Sequence, residues 1–179
     1  MKSKKRMTAV LVILLVLSVS ETTFGYSSGV TGSSTNGCGC HGSSGGITPT
    51  LSGIPNAGYE GNTSYTMNIG GTGGPSGTKG GFNLDADLGS WSNPSANAKL
   101  QNGEVTHSNS NSRSWSVTWT APANDSGNVT FSLAVNFVNG NGGIGGDDWA
   151  TDSWIISQQA NSNGDSDGDG WSDADEASC

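Results

Sequence analysis

Apolar and polar residues alternate through Arg113–Gly140, RSWSVTWTAPANDSGNVTFSLAVNFVNG. Trp115, Val117 and Trp119 alternate with Ser116, Thr118 and Thr120; Val129, Phe131, Leu133, Val135 and Phe137 alternate with Thr130, Ser132, Ala134 and Asn136. A period of two is the mark of a half-buried strand. The connection APANDSGN contains Pro122, Asp125 and Gly127, which supply fixed φ, side-chain-to-backbone bonds and positive φ in turns. This stretch therefore predicts a long hairpin with one apolar face that a second sheet must cover.

Shorter runs of the same kind flank it. ITPTLSGIP predicts a strand ended by Pro55, SYTMNIGG one with Tyr65, Met67 and Ile69 on a single face, and GGFNLDADLG one with Phe82, Leu84 and Ala86 inward. SWSNPSANAKLQNGEVTH reads as a surface excursion returning in a short strand that ends at His107, and a last strand runs around Trp149 to Ile156. The glycine-rich GTGGPSGTKG and NGNGGIGGDDW read as loops; no Walker pattern or following helix supports phosphate binding by the first. About seven strands punctuated by turns, with no helical period, predict an all-β, antiparallel immunoglobulin-like β-sandwich over residues 47–158. Trp115, Trp119, Trp149 and Trp154 are expected in its core or at sheet edges.

The ends differ in composition. Lys2, Lys4, Lys5 and Arg6 precede AVLVILLVLSV, so residues 1–25 read as a secretory signal peptide. Residues 26–46 are too poor in apolar side chains to pack and are expected to form a flexible Gly/Ser-rich arm unless a ligand orders them. Beyond residue 20 only Lys79, Lys99 and Arg113 remain against all fifteen Asp and Glu residues. That balance argues against nucleic acid and anionic membranes as partners and suits cations and an extracellular surface. Asn62-Thr63-Ser64, Asn124-Asp125-Ser126 and Asn128-Val129-Thr130 fit the glycosylation sequon, a pattern that chance produces readily in an Asn- and Ser-rich chain.

Two constellations carry chemistry. In residues 159–179, Asp165, Asp167, Asp169, Gly170, Asp173 and Glu176 fill the calcium-loop template. Alternate carboxylates point inward, Gly170 permits the turn, the Trp171 carbonyl adds an oxygen and Glu176 closes the shell through both oxygens. No helix is predicted before this loop, and it resembles the thrombospondin type 3 repeats of surface proteins, where cysteines follow the acidic run as Cys179 does here. The second constellation is Cys38-Gly39-Cys40-His41. Covalent haem attachment uses two cysteines with a two-residue spacer before a histidine, so this spacer is one residue short. Cys40 and His41 alone would supply one thioether and one axial bond, with His107, the only other histidine, as a second axial ligand. Rival readings are a strained Cys38–Cys40 bridge and a Cys2His site for copper or zinc. The acidic pairs Asp85 with Asp87 and Asp147 with Asp148 raise a hydrolase reading, against which solvated loop charge is the commoner explanation.

SSGVTGSS, CGCHG, GGFNLD, EVTH, WSVTWTAP, VNFVNGNGG and DDW, in that order from Ser27 to Ile156, resemble the choice-of-anchor V domain, a reeler-like module of exported proteins. The resemblance implies a β-sandwich displayed outside the cell and followed by an anchoring segment; none is visible after Glu176, which suggests a truncated chain. It also carries the haem reading onto Cys40 and His41 better than onto Cys38, and places its histidine at His107. The expectation is a non-enzymatic, secreted or cell-surface adhesion module with protein or glycan partners and a calcium-binding tail. Its rival is a single-haem electron carrier.

Overall fold

The computed structural model describes residues 26–159, with Trp171 and Glu176. The expected signal peptide, and Asp165, Asp167, Asp169 and Asp173 of the calcium loop, lie outside the described residues. Ten strands are present among them: β1 (Ser43–Ser44), β2 (Ile47–Ser52), β3 (Ser64–Gly73), β4 (Lys79–Ala86), β5 (Ser90–Ser92), β6 (Ala98–Gln101), β7 (Glu104–His107), β8 (Trp115–Thr120), β9 (Val129–Val138) and β10 (Asp148–Ile156). They form a six-stranded sheet in the order β1-β10-β9-β4-β7-β6 and a four-stranded sheet in the order β2-β3-β8-β5. All pairings are antiparallel except that of β1 with β10. The all-β two-sheet expectation holds, with more strands than anticipated because β1 forms in the N-terminal arm and the surface excursion adds β5 and β6 before the expected strand β7.

The hairpin expected over Arg113–Gly140 does not form. β8 pairs with β3 and β5 in one sheet, whereas β9 lies between β10 and β4 in the other. The segment between them crosses the sandwich, so the two apolar faces cover one another. Trp119 meets Phe131 edge-on at a centroid distance of 4.8 Å, and Trp91 adds a second contact to Phe131 at 6.2 Å. Alternation specifies which side of a strand is buried and is silent on which strand lies beside it.

The core between the sheets is aromatic and aliphatic: Tyr59, Met67, Phe82, Leu84, Val105, Val117, Trp119, Phe131, Leu133 and Val135 are all buried. Met67, Ile69, Phe82 and Leu84 are buried as their alternation predicts, and Tyr65 and Ala86 are half-buried. The indole N–H of Trp119 donates to the Leu88 carbonyl at 3.1 Å. Arg113 stacks over Phe137 at 4.4 Å and donates to the carbonyls of Pro75, Lys79 and Val138 at 2.8, 2.9 and 3.1 Å. It thereby ties the glycine-rich loop before β4 to the end of β9. Burial pushes its guanidinium below the ordinary value. The sequon asparagines Asn62, Asn124 and Asn128 are all exposed.

Phe131→Ala is expected to lower stability by about 3–5 kcal/mol through lost contacts and a cavity. Ile155→Ala, on a side chain 70% exposed, should stay within about 0.5 kcal/mol. Denaturant unfolding of both variants checks the pair.

Candidate functional site

Sandwich sheets normally turn one face to water, yet part of the outer face of the six-stranded sheet is buried. Asn83, Thr106 and Asn136 occupy positions that alternate with core residues, and their exposures are only 1%, 0% and 6%. They are covered by residues 26–42. The composition leaves this arm little apolar surface to bury beyond Tyr26 and Val30, and it docks mainly through backbone donors. The Val30 N–H donates to Thr106 Oγ1 at 3.0 Å, the Ser33 N–H to Asn83 Oδ1 at 2.8 Å, and the Gly32 N–H to both oxygens of Glu104 at 2.9 and 3.1 Å. Asn83 Nδ2 in turn donates to Glu104 Oε2 at 2.6 Å. Gly37 lies flat against the Trp149 ring, where a Cβ would overlap it, so glycine is required at this approach.

Beyond that contact the arm turns. The His41 N–H donates to the Cys38 carbonyl at 2.8 Å, closing Cys38-Gly39-Cys40-His41 into a tight turn, and the Gly42 N–H reaches the Ile144 carbonyl at 3.2 Å. Between arm, sheet and the loop after β9 lies a cavity of about 360 Å³. Cys38, Cys40, His41 and His107, the four residues singled out for cofactor chemistry, all line it, with Phe82, Asn136 and Asp147. The side-chain oxygen of Asn136 is buried there without a hydrogen-bond partner.

His41 and His107 sit differently. His107 Nε2 lies 2.9 Å from the Tyr26 carbonyl and must donate to it, so Nδ1 of the neutral ring accepts the Phe82 N–H at 3.1 Å. Its ring packs over Gly81. Both nitrogens are occupied by backbone, so neither faces the cavity free of a partner, as an axial ligand would need. His41 Nδ1 lies 2.9 Å from Asp147 Oδ2. The Asp147 side chain is 3% exposed, and its other oxygen accepts the Asn139 N–H at 2.9 Å. Nδ1 therefore carries the proton that meets the carboxylate. His41 Nε2 is without a hydrogen bond among the described residues.

Cys38 and Cys40 are both free, so the rival reading of a strained bridge between them is not realised. Burial, with a smaller contribution from Cys40, pushes the Cys38 thiol from 9.0 up to about 11, so it is a neutral thiol near pH 7 and not a nucleophile. No three His, Cys, Asp or Glu side chains converge on a metal position among the described residues. The acidic pairs divide. Asp85 is pushed up by burial and by Glu104, and Asp87 accepts the Thr130 N–H at 2.8 Å. Of all four carboxylates only Asp147 lines the cavity. Trp171 is exposed.

Glu104→Ala should speed hydrogen exchange at the Gly32 amide by about tenfold or more, since a bond to a charged group contributes roughly 1.5–3 kcal/mol. Iodoacetamide at pH 8 should modify exposed Cys40 and spare Cys38. Because folding raises the Cys38 value, the neutral thiol's contribution to stability is held below about pH 9 and lost as pH rises toward about 11. Labelling of Cys38 should climb over that same interval.

Residues 75–138, from the loop before β4 to the end of β9, match the family model of the Reeler domain. No curated protein matches the chain. Among solved structures, it is similar to the human F-spondin reeler domain (fragment 1), at 17% identity over 66% of this chain and 95% of that one, with a TM-score of 0.49. A second structure, of the Reelin-N domain of F-spondin, is 16% identical over 68% of this chain and 94% of that one, with a TM-score of 0.49. No described helix is long and apolar enough to cross a membrane.

Proposed function

We propose that the chain is an exported, non-enzymatic binding module that holds a ligand beneath its N-terminal arm and continues into a calcium-binding linker. The observation that carries the reading is the arm-roofed cavity lined by Cys38, Cys40, His41 and His107, on a sheet face that a simple sandwich would leave in water. Export is supported by the signal-like N terminus and the acidic balance of the rest of the chain, and an interaction role by the Reeler match. The calcium half rests on the spacing of Asp165, Asp167, Asp169, Trp171, Asp173 and Glu176. In millimolar calcium the tail should resist protease, and the double variant Asp169→Asn, Glu176→Gln should not; a tail cleaved equally with and without calcium removes the linker.

A second reading, covalent haem, is favoured by one observation: the turn bearing Cys40 and His41 faces this cavity. Cys40 would hold the group through one thioether and His41, whose Nε2 is open, would bind its iron. His107 would not join it, because its ring nitrogens are engaged. When bound, the group would supply a one-electron couple. The chain's own part is to orient His41, to keep Cys38 neutral and to exclude water with the arm. Protein made in a haem-attaching host should show a Soret band that survives acid-acetone extraction and sharpens on reduction. A colourless product removes this reading and leaves the cavity to a different ligand.

A further inference from the structure

We infer that Asp147 is a positioning residue: it holds His41 as the Nδ1–H tautomer with the Nε2 lone pair presented to the cavity, for a ligand that binds through a Lewis-acidic metal centre. The inference rests on the haem reading for its ligand class and on geometry for its mechanism. Asp147 belongs to neither the CGCHG turn nor the sheet. It ends the glycine-rich loop after β9, 106 residues from His41 in sequence, and is buried where the two segments meet.

Three facts converge. A carboxylate oxygen accepts and an imidazole N–H donates, so the 2.9 Å contact between Asp147 Oδ2 and His41 Nδ1 directs the ring's N–H at Nδ1. The carboxylate is itself held, since its second oxygen accepts the Asn139 N–H at 2.9 Å, and Asn139 is braced through Nδ2 by the Gly145 carbonyl at 2.9 Å. The remaining nitrogen, Nε2, has no hydrogen bond among the described residues and belongs to a cavity-lining ring. A histidine that binds a metal through one nitrogen characteristically donates the other N–H to a carboxylate, which fixes the ring and makes it a better donor. His107, whose nitrogens are engaged by the backbone, lacks this arrangement.

Asp147→Asn separates positioning from folding. The amide oxygen can keep the Asn139 bond, while its NH2 turns toward His41 Nδ1 and leaves the ring proton on Nε2, the position a metal centre needs free. Two measurements on the full exported chain test the idea. In the ligand-free protein, imidazole ¹⁵N shifts should report His41 as Nδ1–H in the wild type and as Nε2–H in Asp147→Asn. In titrations with ferric haem followed at the Soret band, Asp147→Asn should weaken binding by about 10- to 100-fold, and His41→Ala should abolish the histidine-ligated spectrum. A wild-type ring protonated at Nε2, or Asp147→Asn binding haem as tightly as the wild type with the same spectrum, overturns the positioning role and leaves the haem reading standing. A wild type that binds no haem overturns both the haem reading and the ligand class assigned here.

Discussion

The hydrogen bonds that Glu104, Asn83 and Thr106 accept from the arm are the constraint on which the site depends. An arm with few apolar side chains, Tyr26 and Val30 among them, has little hydrophobic reason to lie on a sheet, and its own N–H groups must find acceptors wherever they are taken from water. The outer face of β4 and β7 supplies them, with a carboxylate at the Gly32 end. Once docked, the arm adds a third layer to a two-layer fold. That layer cannot close-pack against the sheet because it is built from glycine and serine, and a cavity remains where the missing side chains would have been.

Much of the sandwich is legible in the chain. β3, β4, β8 and β9 alternate over enough residues for their core-facing positions to be read directly, and the inward positions of Met67, Phe82 and Leu84 follow from that. What alternation lacks is any record of neighbours. β8 and β9 look like one hairpin because a turn-rich segment joins them, and only the packing of Trp119 on Phe131 shows that they face each other across the core. β5, three residues long, is too short to display a period at all.

The site is legible in its chemistry and not in its supports. Cysteine and histidine are scarce enough here for Cys38, Cys40, His41 and His107 to stand out, and the fold brings all four to one cavity. Their assigned roles divide once partners are known: Nε2 of His41 is open, whereas His107 is held by the backbone of Tyr26 and Phe82. Asn83, Asn136 and Glu104 sit at polar positions of alternating strands, where the simplest expectation is water. Only the arm makes Asn83 and Asn136 interior and gives Glu104 its partner. Asp147 reads as one of two loop acids until the structure places it against His41.

The β6–β7 hairpin has a further consequence, in the order of folding. Gln101 pairs with Glu104 across Asn102 and Gly103, both at positive φ, the turn chemistry that favours a two-residue hairpin. Its contacts are local, while the pairings of β4 with β9 and β3 with β8 join segments about fifty residues apart and carry a larger loop-closure cost. Glu104, Thr106 and His107 thus belong to the part of the chain best able to form early, and the arm that uses them must wait until β4 has brought Asn83 alongside. The roof of the cavity is therefore among the last parts to assemble, and a ligand entering at that stage would meet the wall already built and the covering segment still free.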